Sequence, residues 1–136
     1  MHATIEKMQT IVASGDHTAI APLLAADVAF LPPTYWKTWT GRDAVAAVLG
    51  HVGQVFTDFR YRRVMGNGDN WALEFQCKIG DFDAVGVDLI TLDADGLIAH
   101  FEVVMRPHKS IGALRDAMNA RVLQDPAFLK FKDALS

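Results

Sequence analysis

One cysteine, Cys77, stands in 136 residues, so no internal disulfide can form and no cysteine-rich zinc site can be built. No apolar run approaches the roughly 20 residues needed to cross a bilayer. The opening MHATIEKMQTIVASGD carries charge among its apolar positions and reads as neither a signal peptide nor an anchor. Positive charge is also scarce. Thirteen Lys and Arg against sixteen Asp and Glu give a net charge of −3, without the concentrated basic face of a nucleic-acid binder. Strand alternation splits the three arginines of the RYRR run at 60–63 between two faces. The five histidines show no metal-ligand spacing, and no repeat, linker or low-complexity tract interrupts the chain. What is abundant is apolar: 51% hydrophobic against 21% charged residues is enough to bury a sizeable core. These features imply one soluble, cytoplasmic domain with no nucleic-acid or membrane partner and no metal or other cofactor.

The first third has helical periodicity. Ile5, Met8, Ile11 and Val12 form one stripe, and Gly15 stands where a helix-ending glycine belongs. Asp16 is placed to cap a second, shorter helix through Ala25, made irregular by Pro22. A strand at 27–31 ends at Pro32-Pro33, and an aromatic loop, TYWKTWTG, follows. Thr40 and Asp43 are spaced as a capping pair for a third helix with Val45, Val48, Leu49, Val52 and Phe56 as its stripe.

From Phe59 the period becomes two. Strands are expected at 59–66, 71–79, 84–92 and 97–106, separated by NGDN, GDFD and DADG, and such short breaks imply an antiparallel meander. A helix at 110–123 and a last short helix opened by Asp125-Pro126 complete the pattern. Helices gathered on one face of such a sheet make an α+β fold. The strand at 84–92 is apolar on both faces. Gly86, Asp88, Ile90 and Leu92 face one way, and Val85, Val87 and Leu89 face the other, which calls for a second cover such as a symmetric dimer.

The run ASGDHTAIAPLLAADVAF resembles the helix–helix–strand opening of the NTF2-like superfamily. GRDAV resembles the start of its third helix, and GVDLITLDADGLIAHFEVVMRP the last strand pair of its SnoaL-like branch, related to polyketide cyclases and ketosteroid isomerases. The resemblance spans about 3 to 120. It implies a cystatin-like cone, a strongly curved antiparallel sheet wrapped around N-terminal helices, with a pocket at its open end and dimers through the outer sheet face. The domain is taken as 1–123, with 124–136 a helical extension of it on which the resemblance is silent. Members include cofactor-free isomerases, cyclases and lyases as well as binding proteins. Asp88 matches the strand aspartate that acts as proton donor or base in such enzymes. Pro32 and Met8 stand where the steroid isomerases carry their base aspartate and oxyanion tyrosine.

Asp88 is therefore the candidate catalytic residue. Among Gly86, Ile90 and Leu92 its carboxyl would be desolvated and its pKa raised; a structural aspartate is the competing reading. Tyr35, Trp36 and Trp39 are candidate rim residues for a flat or greasy ligand. Phe56, Phe75 and Phe101 are candidate pocket wall, with Arg63, expected on the face of Phe59, Tyr61 and Met65, as partner of Asp88 or of an anionic substrate. His51 could reach the cavity, whereas His2, His17 and His108 read as surface residues. Three functions follow: proton-transfer catalysis on a small hydrophobic molecule, lipophilic-ligand binding without chemistry, or a dimeric interaction module whose cone is filled by side chains.

Overall fold

In the computed structural model, which describes residues 1–135 (without the side chains of Thr18 and 132–135), the first apolar stripe folds as helix α1, Ala3–Ser14. Ile5 and Met8 are buried, the His2 imidazole accepts from the Thr4 amide at the start, and Gly15 ends the helix at φ 78°. That left-handed conformation suits glycine and costs other residues roughly 1–2 kcal/mol. The second helix differs from expectation. It is a 3-10 helix, His17–Leu23, and strand β1 (Leu24–Leu31) starts at Leu24 rather than Asp27. Pro22 has no N–H to donate and its ring obstructs an α-helical turn, so the segment straightens into β1.

Strand β2 (Trp39–Thr40) closes the aromatic loop against β1. Helix α2 (Arg42–Val55) follows Gly41, whose φ of 102° turns the chain from strand to helix without a side-chain cap. The Thr40–Asp43 cap does not form, because Thr40 is paired in β2 with Ala29. Strands β3 (Phe56–Asn67), β4 (Asn70–Ile79), β5 (Phe82–Leu92) and β6 (Ile98–Arg106) form the antiparallel meander that their turn residues imply. One pairing was not legible in the sequence: β1 lies parallel to β6, giving an open, curved six-stranded sheet in the order β2-β1-β6-β5-β4-β3. Two register shifts in β3, at 57–60 and 61–63, add residues on one side only and bend the strand.

Helices α1 and α2 fill the concave face. Ile5, Met8, Val45 and Val48 pack with Leu24, Val28, Leu73, Ile90 and Ile98, each fully buried aliphatic contributing about 1.5–3 kcal/mol. Helix α3 (His108–Val122) lies beside α2, and α4 (Pro126–Leu135) is capped by Asp125, which accepts from the Phe128 amide at 3.3 Å. His51 points to this corner rather than to the interior. Its Nε2 is 2.8 Å from Asp125 Oδ2 and its ring meets Phe128 edge-on, so it anchors α4 to α2. Among the described residues no helix is long and apolar enough to cross a membrane.

Candidate functional site

Alternation along β5 selects what faces the concave interior. Ala84, Gly86, Asp88, Ile90 and Leu92 are buried there, while Val85, Val87 and Leu89 face outward. The β4–β5 register sets Asp88 opposite Leu73 and Gly86 opposite Phe75. A Cβ at Gly86 would lie 2.4 Å from Phe75 Cζ and 2.9 Å from Met105 Cγ, so only glycine lets the Phe75 ring cross β5 beside Asp88. Phe75 stacks on Phe59 with ring centroids 4.9 Å apart, and Phe59 meets Tyr61 edge-on at 5.1 Å. Tyr61, held by these rings, donates its hydroxyl to Asp88 Oδ2 at 3.0 Å.

Asp88 lines a cavity of about 310 Å³. Phe56, Phe75 and Phe101 line it too, as do Met8 from α1 and Val52 from α2. Tyr61 is the one hydrogen-bond partner of the carboxyl among the described residues. No buried side-chain oxygen among those residues lacks a partner, so the second carboxyl oxygen, which has none, opens on the cavity. Burial in this apolar wall pushes the Asp88 carboxyl up to about 7, with the Tyr61 hydrogen bond pulling weakly the other way. Tyr61 is driven well above the usual phenol range by burial first, then by the neighbouring carboxylate. An acid poised near neutrality can give and take protons at physiological pH. Cys77 is buried on the same sheet face and its thiol is pushed up to about 12, which leaves it inert.

Arg63 is not in this group. The register shift between Tyr61 and Arg63 turns Arg62 and Arg63 to the outer face, where both bond Glu74, and Val64 packs on the core. Neutralisation of Asp88 by Arg63 is thereby excluded. The aromatic loop also divides. Tyr35 and Trp39 line a second cavity of about 260 Å³, whereas Trp36 is 99% exposed and lines neither. Trp39 packs tilted against Phe128 with ring centroids 5.2 Å apart, and the Tyr35 hydroxyl donates to Asn119 Oδ1 at 3.2 Å.

Two titratable residues lining the Asp88 cavity escaped sequence reasoning. Tyr61 was legible as an inward strand residue but not as the partner of Asp88. His17, expected at the surface, lines the Asp88 cavity with its ring against α2. There Gly53 leaves the room, since a Cβ at that position would come 2.2 Å from the ring. The 3-10 winding of 17–23 aims it inward, and nothing in the local sequence signals that turn.

The family model of the SnoaL-like domain matches residues 5–101. No match is found among the curated proteins. Among solved structures, the chain is similar to an uncharacterized protein conserved in bacteria with a cystatin-like fold from Silicibacter pomeroyi. That match has 70% identity and a TM-score of 0.96 over 100% of this chain and 96% of the other. It is similar to a steroid delta-isomerase from Pseudomonas aeruginosa at 33% identity, with a TM-score of 0.87 over 90% of each chain. An NTF2-like protein of unknown function from Burkholderia xenovorans, at 20% identity and a TM-score of 0.67 over 78% of this chain and 86% of the other, shares the fold. With its curved sheet, its helices and a family match over 5–101, the chain belongs to the SnoaL-like domain family and has the fold of NTF2-like proteins.

Proposed function

We propose that the protein is a cofactor-independent enzyme that moves a proton on a small hydrophobic carbonyl compound, with Asp88 as both general base and general acid. The observation that carries this is a carboxyl titrating near 7 in the wall of an apolar cavity, held by one neutral donor, Tyr61. Ionised Asp88 takes a proton from the carbon beside the carbonyl, and the electron pair left behind delocalises onto the carbonyl oxygen. Where the substrate carries a β,γ double bond, the pair extends over it, the proton returns from Asp88 to the γ-carbon, and the double bond moves into conjugation with the carbonyl. The product is an isomer, atoms balance, and no co-reactant is consumed. One positioned acid–base group of this kind contributes about 10²–10⁴-fold. The enolate oxygen needs a donor as well. His17 lines the cavity with no hydrogen bond to the described residues and supplies the available N–H.

The similarity to a steroid delta-isomerase supports this class of reaction. Met8 and Pro32 leave out the tyrosine and base aspartate that the resemblance associates with steroid substrates. The cavity lies at the small end of ligand sites, which span about 300–1,000 Å³. Those two substitutions also favour a second reading, a carrier that holds the same molecules without turnover. Deuterium exchange into the CH2 between the carbonyl and the double bond of a small cyclic β,γ-enone separates the two. Wild-type protein should catalyse exchange with a rate that rises through about pH 7. Asp88→Asn should lower that rate at least ~100-fold while ligand affinity holds. Equal exchange by both proteins contradicts the enzyme reading.

The proposal includes a homodimer. Val85, Val87, Leu89 and Val104 form an apolar patch on the outer sheet face, with Leu89 39% and Val104 52% exposed, and a second copy related by a twofold axis would cover it.

A further inference from the structure

The second cavity lies between the aromatic loop and helices α2, α3 and α4, and its wall is mostly carbon, from Trp39, Val48, Met118, Val122 and Phe128. Polar groups gather in the loop and on α3, where the Tyr35 hydroxyl meets Asn119 and Lys37 supplies a cation. Phe30, Pro33, Val52 and Leu114 line this cavity and the Asp88 cavity alike. A side chain that lines two cavities has one on each side, so the partition between them is one side chain thick. Of these four, the half-buried Val52 is the one whose rotamer change opens the partition at least cost.

An unfilled apolar space forfeits the dispersion contacts of its lining, and here the lining is actively maintained. Phe128 is carried by α4, which His51 and Asp125 fix in place at 2.8 Å, with Arg121 Nε 3.3 Å from the other ring nitrogen of His51. The C-terminal extension thus builds one wall of a chamber and is anchored to do so. The Asp88 cavity alone, about 310 Å³, is near the lower limit for a ligand site, and the two chambers together fall well inside the range.

We infer that the two cavities form one bipartite site for an elongated substrate. Its carbonyl end sits at Asp88 and Tyr61, and an unbranched apolar tail passes Val52 and Leu114 into the chamber walled by Trp39, Met118 and Phe128. This rests on the proposed proton-transfer role of the Asp88 cavity and narrows its substrate to carbonyl compounds bearing an alkyl chain.

Titration calorimetry with a series of straight-chain methyl ketones, from 2-pentanone upward, tests it on the full chain. Each methylene that enters an apolar site should raise affinity about fourfold, the equivalent of about 0.8 kcal/mol. Met118→Phe fills part of the second chamber without touching the first. Its affinities should match wild type for the shortest ketones and fall below it once the tail reaches the chamber. Phe128→Leu empties part of the same chamber and should carry the rise to longer ketones than wild type. Superimposable affinities for all three proteins at every length, with the short ketones bound, overturn the bipartite site and leave the role of the Asp88 cavity standing. Failure of every ketone to bind overturns both.

Discussion

Glu74 and Asp88 are carboxylates on neighbouring strands, one rung apart in the β4–β5 ladder, and they face opposite sides of the sheet. Glu74 is 6% exposed and Asp88 5%, yet Glu74 is pulled down to about 2 while Asp88 is pushed up to about 7. Loss of water raises both. At Glu74 the covering groups are the guanidinium groups of Arg63 and Arg62, whose charge-assisted hydrogen bonds outweigh that loss. At Asp88 the cover is carbon and a single neutral hydroxyl, which does not. A similar loss of accessible surface therefore makes a permanent anion of Glu74, which lies under solvated guanidinium groups, and a titrating acid of Asp88, which lies deep among carbon.

The inner face gives the larger effect when this contrast is broken. The folded pKa of Asp88 lies above its unfolded value of 3.8, so between 3.8 and about 7 the native state binds more protons than the unfolded one. Stability contributed by this group is therefore lost as pH rises through that window, and the penalty is complete above 7. Asp88→Asn removes it. The variant should gain up to about 4 kcal/mol over wild type at pH 8 and lose that advantage near pH 3.5, as read by urea denaturation. A difference that does not change with pH would show that the carboxyl is not held against its hydration.

The outer face gives the smaller effect, on association more than on folding. Val87→Glu places a charge among Val85, Leu89 and Val104, beside the Glu74–arginine cluster, on a face where the added anion stays solvated in the monomer. Sedimentation velocity at micromolar concentration should show two-chain wild-type protein and a folded monomeric variant. A strictly monomeric wild type contradicts the dimer.

Local chemistry explains what was legible in the sequence. The meander follows from period-two alternation and from the turn residues at 67–70, 80–83 and 93–96, and both signals act within a few positions. The interior placement of Asp88 follows from Gly86, Ile90 and Leu92 on the same face. Non-local geometry explains what was not. The two register shifts in β3 carry no glycine or proline at 57–63, so the sequence kept Arg63 on the face of Tyr61 when the fold turns it outward. The parallel pairing of β1 with β6 joins residues far apart in the chain, Phe30 with Phe101. Aromatic content marked 35–39 as distinctive but could not say that Trp39 turns inward to Phe128 while Trp36 turns to solvent. His17 depends on the winding of a 3-10 helix and on the space above Gly53.

Carbon-detected NMR titration of the Asp88 and Glu74 carboxyl carbons, followed in one sample, tests the central claim most directly. Asp88 should titrate near 7 and Glu74 near 2, and Tyr61→Phe should move Asp88 further upward by removing its one donor while leaving Glu74 where it is. Both carboxyls titrating together near 4, the ordinary range of a hydrated carboxylic acid, would contradict the account, because Asp88 would then be an ordinary anion with no proton to give at neutral pH.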